Sequence, residues 1–286
     1  MRILIAFPAF LILFLCSCQK EVDFANRNSN GNGNGGTKPI TLLVKSVTKT
    51  GSDSLVTDYT YDANRKLIKM KIKGVDVGTP EDKEYHYFRN SSGILTKYSV
   101  IDPDLVAAGI DSLTTIVNYS TSLSKYTGYV VKLIVPGFIL LDSAVYVYDG
   151  SGKIIEEDLY ESPSGSGLDY YFTGKANYSY SNGNVSELDI HDFDQSGAET
   201  FTATTKVTYD SKTNPLLFGN EGFPMGHAEW VSVNNFSMEE LSDSNGIADS
   251  QTVSYTYTYN SDNKPGTSLI AVAPDNIILN SNFYYH

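Results

Sequence analysis

From Thr41 onward, apolar and polar residues alternate with a period of two. Ile68, Met70 and Ile72 are separated by Lys69, Lys71 and Lys73. Phe201, Ala203, Thr205, Val207 and Tyr209 follow the same rule, as do Val253, Tyr255, Tyr257 and Tyr259. Such alternation predicts half-buried antiparallel strands, because strands covered on both faces read as apolar throughout. Residues 130–135 and 138–141 depart from it, being nearly continuous apolar runs split by Pro136-Gly137. Lys132, Pro136 and Asp142 argue against a membrane helix there, so two core strands joined by a tight turn are predicted. One short helix is predicted near 102–109. Asp102 suits the N-cap, Pro103 the first helical position and Gly109 the stop.

An internal repeat organises the strands. A Tyr-x-Tyr pair followed by a turn residue occurs at Tyr59-Tyr61-Asp62, Tyr146-Tyr148-Asp149, Tyr178-Tyr180-Ser181 and Tyr257-Tyr259-Asn260. Weaker copies are Tyr85-Tyr87, Val117-Tyr119 and Val207-Tyr209-Asp210. The second aromatics fall at 61, 87, 119, 148, 180, 209 and 259, mostly about 30 residues apart. That period fits one hairpin per repeat, with turn residues reversing the chain and an Ile/Leu pair opening the return strand. The expected fold is all-β, an antiparallel meander of about seven hairpins. Twist should curl some fourteen strands into a half-barrel or a closed, barrel-like sheet.

The interval from Tyr209 to Tyr259 breaks the period. It holds two turn-rich apolar pieces and Trp230, the only tryptophan. This insertion is expected to lie across the sheet or close one end of it. Trp230 is then either a ligand-contacting aromatic or part of a plug in the core, and the burial habits of apolar residues favour the plug.

The segments YTYDANRKLIK (59–69) and YVYDGSGKIIE (146–156) resemble the Tyr-Asp hairpin repeats of Rhs-type proteins. At the N-terminus, Arg2 precedes an apolar stretch over 3–15 that ends in Leu15-Cys16-Ser17-Cys18. This resembles the bacterial lipobox, which implies removal of residues 1–17 as a signal peptide and lipidation of Cys18. Residues 18–40, rich in Asn and Gly, read as a flexible tether, and residues 41–286 as a single repeat-built β domain. Together these features resemble a group of lipoproteins from Bacteroidota, some carrying a domain of unknown function described as having a porin-like sheet. The resemblance implies a cell-envelope location, with the protein lipid-anchored to the outer membrane. It brings no catalytic residues with it.

Composition narrows the occupation. A formal net charge of −12 repels nucleic acid and anionic lipid, so no nucleic-acid partner is expected. Of the two cysteines, Cys16 would leave with the signal and Cys18 would be capped, which excludes thiol catalysis and cysteine-bound zinc. Asp192, Asp194 and Ser196, followed by Gly197, match the start of a calcium loop, and Ca2+ is the only candidate cofactor. The match ends at position twelve, where Ala203 stands in place of Glu. The four histidines are scattered and no G-x-S-x-G elbow is present. Glu156, Glu157, Asp158 and Glu161 read as a solvated strand end, and the evenly spaced tyrosines as scaffolding. The leading expectation is therefore a non-enzymatic envelope lipoprotein that binds a glycan or an envelope protein. Its alternatives are a carbohydrate- or lipid-directed hydrolase and an integral outer-membrane β-barrel, which would need an apolar lipid-facing band.

Overall fold

The computed structural model describes residues 42–286 apart from 77, 136–137, 163–168, 227 and 245–250. The lipidation site Cys18, the signal segment and the tether lie outside the described residues. Four hairpins open the chain: β1 (Leu43–Thr50), β2 (Asp53–Tyr61), β3 (Leu67–Asp76), β4 (Thr79–Arg89), β5 (Leu95–Ile101), β6 (Leu113–Ser120), β7 (Lys125–Val135) and β8 (Phe138–Tyr148). Four more complete it: β9 (Ile154–Ser162), β10 (Tyr171–Ser181), β11 (Asn184–Phe193), β12 (Glu199–Thr213), β13 (Asn234–Asp243), β14 (Gln251–Tyr259), β15 (Pro265–Ala273) and β16 (Ile277–Tyr285). Every strand pairs antiparallel with its sequence neighbours, and β1 pairs with β16, so the sheet closes.

The meander is as expected, but it comprises sixteen strands in eight hairpins and forms a closed barrel rather than a half-barrel of about seven hairpins. The hairpin missed by the repeat count holds the seam. Its last strand ends in Phe283-x-Tyr285, an imperfect copy with no turn residue after it. At the seam, Leu42 and His286 exchange two backbone hydrogen bonds of 2.8 Å, and the hydroxyls of Thr48 and Ser281 meet at 2.8 Å.

The hairpin turns repeat one another in atomic detail. Asp62, Asn90, Asp149, Asp194 and Asn260 each accept hydrogen bonds through a side-chain oxygen from the amides two and four residues ahead. A residue in the left-handed region follows: Arg65, Gly93, Gly152, Gly197 and Asn263. This is a type I turn running into a bulge, the ordinary three-to-five-residue hairpin solution. At one mouth of the barrel a bulge follows each such turn. Tyr61 pairs with Leu67 while Thr60 pairs with Lys69; Tyr148 pairs with Ile154 while Val147 pairs with Glu156. The same irregularity occurs at Arg89, Tyr119, Tyr180 and Tyr259. In the second hairpin the equivalent position is thus Arg89, two residues beyond the Tyr87 that the sequence pattern singled out. The helix α1 (Pro103–Ala107) forms as predicted, with the Asp102 carboxylate accepting from the Asp104 amide at 2.9 Å.

The alternation sorts side chains radially. Tyr59, Met70, Tyr87, Tyr146 and Tyr178 are buried inside the wall. Outside, Lys69 meets Glu84 at 2.7 Å, Lys73 meets Asp82 at 3.3 Å, and Lys71 lies between both acids. Sixteen strands enclose more space than wall side chains can fill. The insertion between β12 and β13 occupies one mouth: Leu216, Phe218, Phe223, Met225 and Trp230 are all buried there. Leu42 and His286 lie at this same plugged mouth. At the opposite mouth the described connections are short turns and α1, which buries no residue of its own.

Candidate functional site

The interior above the plug is the most chemically loaded part of the molecule. Phe223 forms its floor, in edge-on contact with the Tyr178 ring at 4.8 Å between centroids and 6.1 Å from Tyr146. Tyr146 stands directly across β8–β9 from Glu157, and Ala176 flanks Glu157 on the other side, across β9–β10. The Glu157 side chain is buried, and its carboxylate accepts the Tyr178 hydroxyl at 2.8 Å and a second hydrogen bond from Tyr129. Burial pushes the Glu157 carboxyl above the usual range, and these two hydroxyl donors only partly oppose that rise. The Tyr146 hydroxyl is buried with no hydrogen-bond partner.

This corrects the reading of 156–161 as a solvated strand end. The bulge at Ile154 resets the alternation, so Glu156 and Asp158 face out while Glu157 and Glu161 face in. Nearer the far mouth, Asp142 faces Glu161 across β8–β9, and burial followed by the charge of Glu161 pushes the Asp142 carboxyl up to about 6. Two acids directly opposed on one face are a like-charge pair that the fold must tolerate.

The residues singled out from sequence fall in three separate places. Asp194 and Ser196 form a hairpin turn, where the Asp194 carboxylate accepts the Ser196 hydroxyl and the amides of Ser196 and Ala198. Those bonds hold its carboxyl below the ordinary value. Asp192 points inward beside Gly174 and is pushed up by burial. Asp192 and Asp194 are therefore not on one concave surface, and among the described residues no group of three or more His, Cys, Asp or Glu could hold a metal ion. Trp230 is 4% exposed and packs its ring on Phe218, 5.0 Å between centroids, inside the plug. The interior acid Glu157 carried no recognisable motif. The signal that could have found it is its place after the bulge, three residues beyond the buried Ile154.

The plug is tied to the wall by charge. Arg89 and Glu221, both nearly buried, form an ion pair, and Lys66 lies 3.9 Å from the same carboxylate. A recess of about 330 Å³ opens beside it, lined among others by Lys66, Tyr119, Lys125 and Asn220.

No protein-family model and no curated protein sequence matches the chain. Among solved structures, a porin-like protein from Bacteroides vulgatus is similar with a TM-score of 0.54 at 14% identity, covering 86% of this chain and 99% of its own. A porin-like protein from Bacteroides uniformis gives 0.50 at 12% identity, over 86% and 96%. At these identities the likeness is one of fold: a closed, porin-like β-barrel.

Proposed function

We propose that the chain is a cell-envelope lipoprotein of porin-like fold whose wall faces water, and that its lumen, stoppered at one mouth, is a non-enzymatic binding chamber entered from the other. The outer face of β3 and β4 carries the reading. Lys69, Lys71 and Lys73 interleave with Glu84 and Asp82 across the middle of the wall. A lipid-spanning barrel needs an apolar band there, and a lysine at the bilayer midplane costs about 2–4 kcal/mol. Three such residues in a row on one strand favour water outside and aromatic packing within. Because β1 begins at the plugged mouth, lipidation at Cys18 would attach the tether at the plugged end of the barrel.

A second reading, an integral outer-membrane barrel, is favoured by closure at sixteen strands and by an outward strip of exposed Ile116, Val145, Val147 and Ile155. One fractionation separates the two. Residues 1–18 are exchanged for an ordinary secretory leader ending without cysteine, and the cells are fractionated beside those making the native chain. The native chain is expected with membranes and the exchanged chain in the soluble fraction. Recovery of the exchanged chain only by detergent extraction would overturn the water-facing wall and establish the integral barrel.

A further inference from the structure

The chamber floor has a feature that a mere scaffold would avoid. Glu157 sits deep in the wall, yet among the described residues no lysine, arginine or histidine forms an ion pair with it. An isolated buried carboxylate costs far more than its two hydroxyl bonds return, so a site built this way either keeps a proton or receives a cation. The surroundings favour the cation. Tyr129 and Tyr146 stand 6.2 Å apart between ring centroids, Tyr178 stands across the carboxylate, and Tyr98 lies within electrostatic reach of it. These rings come from β5, β7, β8 and β10, so the fold converges them from positions up to 80 residues apart. Ala144 and Ala176, inward neighbours of Tyr146 and Glu157, end at Cβ and set the wall back at this level. Above them the inward side chains of Asp142, Leu159 and Glu161 are only half-buried, which places the cluster at the base of the solvent-reached part of the lumen. The Tyr146 hydroxyl, one of six buried side-chain polar atoms without a hydrogen-bond partner among the described residues, lies in this cluster.

We propose that this cluster is a receptor for the head group of a small organic cation, an alkylammonium, with the Glu157 carboxylate as counter-ion inside a cage of tyrosine rings. Aromatic faces attract such cations through the ring quadrupole, and the attraction grows as water is excluded. A methylated ammonium suits the site better than a metal ion. It needs no ring of oxygen ligands, and the cluster offers one carboxylate among tyrosine rings. The assignment rests on the lumen being a binding chamber, and it names the chemistry that the chamber selects.

The test titrates the purified chain, made without its lipid, with choline and with its neutral isostere 3,3-dimethylbutan-1-ol, following binding by calorimetry and ligand-observed NMR. Choline should bind saturably and the isostere at least about tenfold more weakly. Glu157→Gln should lose at least about tenfold in choline affinity, while Glu187→Gln, on the outer wall, should lose none. In the unaltered chain, choline affinity should also fall as acid protonates Glu157, a readout that needs no variant. Equal binding of choline and the isostere, or Glu157→Gln binding choline undiminished, would overturn the cation site. A neutral ligand captured in the lumen would leave the chamber standing without this assignment. A chain recovered only from lipid would remove both.

Discussion

The hydroxyl of Tyr180 donates to the main-chain carbonyl of Ile154 at 2.7 Å, tying the end of one hairpin to the bulge of the hairpin before it. The relationship recurs around the plugged mouth. Tyr148 reaches the bulge carbonyl of Tyr126, Tyr209 that of Val185 and Tyr285 that of Pro265. At three of these four positions the lysine that closes the preceding turn lies over the ring face: Lys125 on Tyr148 at 4.4 Å, Lys153 on Tyr180 at 4.6 Å and Lys264 on Tyr285 at 5.1 Å. A bulge leaves a carbonyl that the ladder does not use. The second tyrosine of the repeat supplies the missing donor, which explains why the repeat pairs Tyr with a turn and a following Lys. In the second hairpin Arg89 takes the tyrosine's place and reaches the Leu67 carbonyl at 3.4 Å.

Removing one such donor should therefore be felt although no side-chain volume is lost. Tyr180→Phe leaves the carbonyl of fully buried Ile154 without that donor. The expected cost is about 1 kcal/mol, or roughly 2–4 °C in melting temperature for a domain of this size. Tyr284→Phe, outward and 50% exposed, should leave the melt unchanged. Equal melts for the two variants would dismiss the ring as an incidental contact.

How much of this was legible in one dimension depends on distance along the chain. The repeat, the turn residues and the Asp102 cap are local, so the alternation of Ile68 with Lys69 and the Tyr-x-Tyr spacing predicted strands, hairpins and α1 correctly. The bulges were not legible, and each one shifts the phase of the pattern after it. For that reason the repeat pattern points to Tyr87 where Arg89 holds the position, and the run of acids sets Glu157 with its outward neighbours Glu156 and Asp158. The sequence leaves open whether the sheet closes, because closure depends on pairs such as Thr48 with Ser281, 233 residues apart. The cluster around Glu157 takes Tyr146 and Tyr178 from the repeat and Tyr98 and Tyr129 from outside it, and nothing in one dimension marks the four as neighbours.

The ion pair between Arg89 and Glu221 should decide whether the plug stays seated. Both side chains are at most 7% exposed. Glu221→Ala would strand the Arg89 guanidinium in the interior, a loss of about 3–5 kcal/mol for a buried pair broken on one side. Glu221→Gln, which keeps an acceptor, should cost less. Trp230 reports the event without a label, because the only tryptophan is packed in the plug. Its emission should shift to the red in Glu221→Ala at temperatures where the sheet signal in circular dichroism persists. A single transition in both signals would show instead that plug and wall unfold as one unit.

Close approach of β7 to β8 should make one glycine irreplaceable. Gly128 has φ of 145°, and a Cβ there would lie 1.9 Å from the Ala144 carbonyl oxygen. Because that neighbour is backbone, the strands must part to admit a methyl group. Gly128→Ala should cost at least about 3 kcal/mol, as strain and broken pairing combine. Gly150→Ala, in a turn with nothing within 4 Å, should be tolerated. Comparable denaturant midpoints for the two variants would contradict the close contact.

The opposed acids of the lumen give stability a particular pH dependence. Asp142 has an ordinary value of 3.8 and is pushed up to about 6 in the folded chain, by burial first and by Glu161 second. Between those values the folded state holds a proton that the unfolded state has released. The benefit of that proton is lost as pH rises through the interval, and above about 6 the ionised Asp142 is a standing penalty. Asp142→Asn removes the penalty, so the variant should match the native chain near pH 4 and exceed it near pH 8. Water reaching this part of the lumen screens the interaction, which limits the gain to the order of 1 kcal/mol. Urea melts of both chains at the two pH values measure the difference directly. A gain that is the same at both would mean that Asn improves packing, with Glu161 playing no part.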